Sequence, residues 1–552
     1  MLEYLQKLYG VKAHLVQDEI VQLMKGCHQS SDKQLLNEED MMIITYGDSI
    51  LDGQKPALQV LNGFLDENVG HLINTVHILP MFTYTSDDGF SVVDYLEIDS
   101  KLGTWKNVKD LSKNYDLMFD AVINHISKSS SWFKEYAKGN LRYDDYFIEC
   151  DPTVDYSSVV RPRALPLYYE YETVNGKKNL WATFSEDQLD INYENPKVLI
   201  DVLKILLEYA SNGARFIRLD AIGFAWKKVG TSCIHLDETH ALIKTMRYVL
   251  SQCYPDVKLI TETNVPHHEN ITYFGNGLDE AHLIYQFPLP PLTLHAFLSQ
   301  SAEVLMNWAD SLKETSLTNE TTYFNFLASH DGIGLRPTEG ILTNEDRQEM
   351  ADSVLSRGGR ISYKDNPDGT KSPYEMNINY LDALCEETLT VDEKVKKFIA
   401  SQSILLALQG VPGIYIHSLL GSRNDLKGME ESGINRRINR EKLDVNSLKE
   451  TLDDESSLRN GVFSAYKKLL SIRKSHTAFS PLSKQEVLSF HKQVFSIKRT
   501  SDTETIICLV NVSDTPVTID INESGLDLIT NTKVARSIQL SKHDVKWIKV
   551  EV

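Results

Sequence analysis

Residues 1–40 carry Leu2, Leu5 and Leu8, then Val16, Ile20, Leu23 and Met24, at helical spacing among polar side chains. This period predicts a helical N-terminal extension over 1–40, packed on a larger body through one apolar face. From residue 41 the pattern changes to short apolar runs, at 41–46, 75–79, 117–123, 216–219, 257–261, 282–285, 323–327 and 411–416, separated by stretches of helical period. Eight strand-like runs alternating with helices predict an α/β fold, a parallel (β/α)8 TIM barrel, in which function gathers at the carboxyl ends of the strands. Past residue 476 the period falls to two, as in Val494-Phe-Ser-Ile-Lys498 and Val545-Lys-Trp-Ile-Lys-Val550. That alternation predicts a C-terminal antiparallel β domain over 476–552.

Two intervals exceed an ordinary strand-to-helix loop. Residues 126–194, between the third and fourth runs, hold Asp144-Asp-Tyr-Phe147, Arg161-Pro-Arg163 and Trp181, and are expected to form a small inserted domain. Residues 333–385, after the seventh, hold Ser356-Arg-Gly-Gly-Arg360 and Asn366-Pro-Asp-Gly369, which suggest a mobile polar lid. The barrel is then assembled from 41–125, 195–332 and 386–475.

Charge narrows the partners. With 57 basic and 77 acidic residues the net charge is −20, which disfavours nucleic acid or an anionic membrane as partner. An anionic substrate must therefore meet a local basic patch. The six cysteines, at 27, 150, 233, 253, 385 and 508, lack paired or metal-type spacing, and reduced thiols in a cytoplasm are expected. The N-terminal residues lack the basic, apolar and small-residue order of a secretory leader, and no uncharged apolar stretch is long enough to cross a bilayer.

Three apolar runs lead straight into a carboxylate: Ala214-Arg-Phe-Ile-Arg-Leu-Asp220, Lys258-Leu-Ile-Thr-Glu262 and Phe324-Asn-Phe-Leu-Ala-Ser-His-Asp331. A charge at the end of a buried strand is costly, and three such ends point to one acidic site. Glycosyl chemistry needs that set: a carboxylate to attack the anomeric carbon, an acid to protonate the leaving oxygen, and negative charge facing an oxocarbenium-like transition state. For any one of them, a helix cap or an ion-pair partner is the competing explanation. Other unusual polar residues fall at strand ends too: Asp88 after the second run, Asn124-His125 after the third, and His330 after the seventh.

Asp120-Ala-Val-Ile-Asn-His125, Phe216-Ile-Arg-Leu-Asp220, Glu262 and His330-Asp331 resemble the four signature regions of the alpha-amylase superfamily of glycoside hydrolases. Ala221-Ile-Gly-Phe224, Gly230-Thr-Ser-Cys233, Phe287-Pro-Leu-Pro-Pro-Leu292, His330-Asp-Gly-Ile-Gly334 and Ile438-Asn-Arg440 are similar to its sucrose phosphorylase branch. The resemblance implies phosphorolysis of an α-glucoside to α-glucose 1-phosphate, with no cofactor. By it, Asp220 is the nucleophile, held ionised by Arg218; Glu262 is the general acid and base; Asp331 stabilises the transition state. It also implies that Asp88, His125, Gln188, His330 and Arg440 hold the glucosyl unit and that Phe90 stacks near it.

Phosphate needs cations that a hydrolase does not, and the sequence offers Arg161 and Arg163 in the insertion, with Tyr374 in the later loop. Tyr374-Glu375 aligns with a Tyr-Gln pair of the sucrose enzymes, so Glu375 is a departure. Asp331-Gly-Ile-Gly-Leu-Arg-Pro-Thr-Glu-Gly340, Arg357-Gly-Gly-Arg-Ile-Ser362, Asn366-Pro-Asp-Gly369 and the N-terminal extension look more like glucosylglycerate phosphorylases. That would give Arg336, Arg357 or Arg360 a glycerate carboxylate to bind. Sucrose and sucrose 6-phosphate phosphorolysis, an α-glucosidase or transglucosidase, and a barrel without catalysis remain as alternatives. A metal barrel is opposed by the lack of ligand spacing among the histidines. The expected partners are a small sugar and inorganic phosphate, with no nucleic acid and no membrane, and with a homodimer among the assemblies the chain admits.

Overall fold

The computed structural model describes residues 1–27, 33–163, 165–365 and 370–551. Asn366 to Gly369, part of the lid motif, lie outside the described residues.

The eight expected strands form, each within two or three residues of its apolar run: β1 (Met42–Thr45), β2 (Thr75–Ile78), β3 (Asp116–Ala121), β4 (Ala214–Leu219), β5 (Lys258–Thr261), β6 (Leu283–Tyr285), β7 (Thr322–Phe326) and β8 (Val411–Tyr415). They close into one barrel in chain order, β8 returning to β1. The pairing is parallel, as in Met42↔Gly413 of β1 and β8, Asp120↔Arg218 of β3 and β4 and Ile260↔Arg218 of β5 and β4. The strands are buried on both faces, which is why they read as continuous apolar runs and not as alternation.

The chain divides into two compact units. The first comprises 1–34, 77–263 and 269–284. Its N-terminal helices, Leu2–Tyr9 and Ala13–Met24, bury Leu5, Leu8, Val16 and Ile20. The extension is held by an ion pair of Lys7 with Asp237 at 2.5 Å and by Tyr9, whose hydroxyl donates to the Tyr193 carbonyl at 3.0 Å. After β3, strand His125–Ser127 pairs antiparallel with Gln188–Asp190, and between them stands the hairpin Tyr168–Thr173/Gly176–Trp181.

The second unit comprises 35–76, 264–268 and 285–552. Among the described residues of the long interval after β7, strands Ile333–Gly334, Lys371–Asn377 and Arg360–Asp365 form a three-stranded sheet, with helix Asn344–Ser356 beside it. That helix begins with a capping box between Thr343 and Asp346. Beyond helix Leu458–Lys474 lies the antiparallel domain, a six-stranded sheet and a two-stranded one. Val494, Ile507, Leu509, Ile519, Ile538, Leu540 and Ile548 fill the core between its sheets. Among the described residues no helix is long and apolar enough to cross a membrane.

Candidate active site

In a strand, residues two apart share a face. Arg218 and Asp220 at the end of β4 are such a pair, and the register places Asp120 of β3 on one side of Arg218 and Ile260 of β5 on the other. The ladder continues past the strand ends, with the Asp220 amide donating to Ala121 O at 3.2 Å and the Glu262 amide to Leu219 O at 3.1 Å. Asp220 and Glu262 therefore stand side by side on neighbouring strands, whose spacing is ~4.8 Å.

Arg218 ties the acids together. Its Nη1 donates to Asp220 at 2.8 Å and also bonds Asp120, while its Nη2 lies 3.9 Å from Glu262 Oε2. Asp120 is buried and meets His77 Nε2 at 2.7 Å, so a chain runs from His77 of β2 through Asp120 and Arg218 to Asp220. A guanidinium in this position favours the charged carboxylate. The Ala221 amide donates to Glu262 Oε2 at 2.9 Å, and Ala221 adopts φ 48°, a left-handed conformation that a non-glycine residue holds only under constraint.

The other sugar-binding candidates of this unit form a second group. His125 and Gln188 lie on the two strands of the short antiparallel pair, opposite Asp190 and Ser127 respectively, with their nitrogens 3.3 Å apart, and both bond the Phe90 carbonyl at 2.9 Å. Burial pushes the His125 pKa down, against the opposing pull of Asp190, so the ring is neutral at neutral pH. Phe90 lies under the Arg218 guanidinium, 5.7 Å from the ring centroid. Asp87, Asp88 and Gly89 are all left-handed, at φ 54°, 49° and 108°. A Cβ on Gly89 would lie 2.7 Å from Pro80 Cβ, so only glycine closes this turn and presents Asp88. Arg163 bonds Asp87 at 3.1 Å and sits over Phe184, whereas Arg161 is exposed.

In the second unit Asp331 stands beyond the end of β7. His330 Nε2 lies 3.4 Å from Asp331 Oδ1, and the His330 ring meets Tyr46 edge-on at 5.9 Å. Arg440 is buried, its Nε donating to the His330 carbonyl at 2.8 Å and its guanidinium lying 5.6 Å from the Tyr46 ring centroid. Arg436 pairs with Asp331, Nη1 to Oδ1 at 2.5 Å, and also grips Glu375 through Nε at 3.1 Å and Nη2 at 2.6 Å.

The lid arginines divide. Arg357 is built into the fold, donating to Ala383 O and Glu386 Oε1, each at 2.6 Å. Arg360 is exposed and donates to the carbonyls of Gly358 and Gly359 at 3.0 Å. Arg336 and Tyr374 are half-buried, and the Tyr374 carbonyl accepts the Leu335 amide.

Sequence reasoning missed His77, Asp87 and Arg436 and gave Asp120 no task. His77 had a signal, a lone imidazole inside a four-residue buried strand. Arg436 also had one, four residues before Arg440 in the basic run Asn435-Arg-Arg-Ile-Asn-Arg440.

A closed parallel barrel with an acid pair at adjacent strand ends defines a (β/α)8 protein of the glycoside-processing class. The chain belongs to the alpha-amylase family: the model of the alpha amylase catalytic domain matches residues 70–356. Residues 496–548 match the beta-galactosidase C-terminal domain. Among curated relatives, a glucosylglycerate phosphorylase of Allomeiothermus silvanus is 45% identical over 532 residues, 96% of this chain and 95% of that one. The glucosylglycerate phosphorylase of Escherichia coli K12 is 42% identical, covering 99% of each chain. A sucrose phosphorylase of Streptococcus mutans is 28% identical over 88% of this chain and 97% of its own. Among solved structures, sucrose 6F-phosphate phosphorylase from Thermoanaerobacter thermosaccharolyticum superposes with a TM-score of 0.75 at 25% identity, covering 91% of this chain and 98% of that one.

Proposed function

We propose that the protein is a retaining glycoside phosphorylase that transfers the glucosyl unit of glucosylglycerate to inorganic phosphate, giving α-D-glucose 1-phosphate and glycerate. The observation that carries this reading is the 42–48% identity to three glucosylglycerate phosphorylases, against 26–28% to sucrose-type phosphorylases. The acid pair supports it chemically. An Asp220 oxygen bonds to the anomeric carbon as the glycerate oxygen departs and takes the Glu262 proton. Glu262, now a base, removes a proton from phosphate, whose oxygen attacks the same carbon and releases Asp220. The bonding of Arg218 to Asp220, with Glu262 on the next strand, supports the short separation of a double displacement, ~5 to 5.5 Å between carboxyl groups.

In this reading Asp331 faces the developing positive charge, and Asp88, Phe90, His125, Gln188, His330 and Arg440 hold the glucosyl ring. Phosphate and acceptor meet Arg161, Arg163, Arg336 and Tyr374. Arg357 and Arg360, with the partners described above, serve the lid that carries them. Six cysteines, each a free thiol, support a cytoplasmic setting.

The test is a phosphorolysis screen. Glucosylglycerate, sucrose, sucrose 6-phosphate and glucosylglycerol are each offered with phosphate, and released glucose 1-phosphate is measured. Glucosylglycerate is expected to give the highest kcat/KM. Preference for sucrose, or release of free glucose independent of phosphate, overturns the assignment.

A further inference from the structure

An acid acceptor must find a cation in a protein of net charge −20. Arg436 is a cation that the structure pairs with Asp331, at 2.5 Å, and it is already holding a second carboxylate side-on. Both Glu375 oxygens face its Nε–Nη2 edge, at 3.1 and 2.6 Å, which is the two-bond fork that a guanidinium offers any carboxylate, a substrate's included. The Arg436 side chain is 26% exposed and that of Glu375 only 7%, so the cation is reachable while its counter-ion is covered.

The backbone around Glu375 is fixed. It lies on the middle strand of the three-stranded sheet, opposite Gly334 on one side and Ser362 on the other. Its side chain rests on Gly332, where a Cβ would come within 2.6 Å of Glu375 Cγ. Glycine at 332 thus keeps the space in which the Glu375 side chain lies.

We propose that Arg436 is the specificity-determining residue for the acceptor carboxylate, and that Glu375 is its resting counter-ion, displaced when that carboxylate binds. The proposal rests on the glucosylglycerate reading. Exchange of one carboxylate for another keeps the guanidinium paired, while the covered Glu375 must take up a proton or another partner as it leaves, a cost that the acceptor's binding has to offset. A neutral acceptor cannot displace Glu375, so the pair also selects against neutral polyols. Removing the charge of Glu375 removes the competitor and leaves Arg436 in place.

The experiment measures synthesis from α-glucose 1-phosphate with glycerate or with glycerol, in wild type, Arg436→Gln, Arg436→Lys and Glu375→Gln. Wild-type use of glycerate tests the glucosylglycerate reading by itself; if glycerate is not used, that reading fails before the variants are considered. Given a glycerate-active wild type, Arg436→Gln is expected to raise the KM for glycerate about ten- to a hundredfold while moving that for glycerol less than about twofold. Arg436→Lys, which keeps charge without the fork, falls between. Glu375→Gln lowers the glycerate KM about threefold or more, since it removes like charge from the pocket. Equal losses for glycerate and glycerol in Arg436→Gln, appearing in kcat, would reduce Arg436 to a positioner of Asp331 and overturn the proposal. So would an unchanged or higher glycerate KM in Glu375→Gln, or an Arg436→Gln defect confined to the KM for phosphate in phosphorolysis.

Discussion

Arg218 and Asp220, two residues apart on β4, form a 2.8 Å ion pair in which the arginine is itself anchored by buried Asp120. The arginine thus has its own fixed counter-charge and stays anchored independently of Asp220, the carboxylate proposed to form the ester. Each part of this arrangement predicts a different defect.

Asp220→Asn and Glu262→Gln remove a chemical role and no core volume. Each is expected to lower kcat by at least about 10²- to 10⁴-fold with an unchanged circular dichroism spectrum. They separate with α-glucosyl fluoride, whose leaving group needs no proton: glucosylation recovers in Glu262→Gln and stays absent in Asp220→Asn. Near-normal phosphorolysis in either variant contradicts the assignment.

Asp120→Asn leaves Arg218 without its anchor and His77 facing an amide. Breaking a buried ion pair on one side costs about 3–5 kcal/mol, so the variant should unfold at clearly lower denaturant concentration. It should also lower kcat more than it raises KM, because Asp220 loses its positioned partner. His77→Gln, which keeps a hydrogen bond, should be milder in both. An Asp120→Asn enzyme as stable and as fast as wild type would mean that the buried chain is idle.

The product anomer follows from the placement of Glu262 beside Asp220. Two displacements at one carbon restore the starting configuration, so proton NMR at early time should show α-glucose 1-phosphate. A β-phosphate would require a single displacement and would remove Asp220 from its role as nucleophile.

The barrel was legible because its strands are buried on both faces, leaving eight apolar runs that only a parallel sheet accommodates. Asp220 and Glu262 were legible because a charge ending such a run is anomalous, and the register joins them. Arg436 was not, because its partner Glu375 lies 61 residues away and the pair depends on how the lid sheet folds over Gly332. Arg357 and Arg360 looked equivalent to it in sequence, since an arginine bonded to its own chain reads the same as one facing a substrate. His77 was hidden because a histidine within an apolar strand is most often a satisfied core residue.

Acid stability is predicted by buried histidines. Burial lowers the pKa of His417 to about 3, and of His267 and His543 to about 4, each from an ordinary 6.5. All three are neutral in the fold and take up protons on unfolding, so their contribution is present above pH 6.5 and is lost as pH falls from there toward the folded values. At pH 5.5 each costs about 1.4 kcal/mol relative to pH 8, where the unfolded imidazole is also neutral. Glu504 acts lower: burial pushes it up, but hydrogen bonds from Lys549, His476 and the Ala478 amide outweigh that and hold it near 2, so its contribution is lost below about pH 4.5. Urea titrations should show stability falling between pH 6.5 and 4.5, with a shallower slope in His417→Gln. A flat profile over that range contradicts the neutral buried histidines.

Lys227 predicts the response to metal removal. Its ammonium is buried at the base of the inserted region, where it contacts Asp190 Oδ2 at 2.5 Å, Asn124 Oδ1 at 2.9 Å and the Phe224 carbonyl. Asp190 also accepts from the Thr183 amide and hydroxyl, both at 2.7 Å. A carboxylate, an amide oxygen and a carbonyl converging on one point are the ligands a hard divalent cation takes, and here a lysine supplies the positive charge. Among the described residues there is no group of three or more His, Cys, Asp or Glu that could hold a metal ion. Excess EDTA is therefore expected to leave both Tm and phosphorolysis rate unchanged. Lys227→Met keeps the volume but strands Asp190 as an uncompensated buried charge, at a cost of about 3–5 kcal/mol read from denaturant unfolding. Because Asn124 adjoins His125, that variant should also weaken glucosyl binding and raise the donor KM. A fall in Tm on chelation of the wild-type enzyme would show that a metal, and not Lys227, secures this junction.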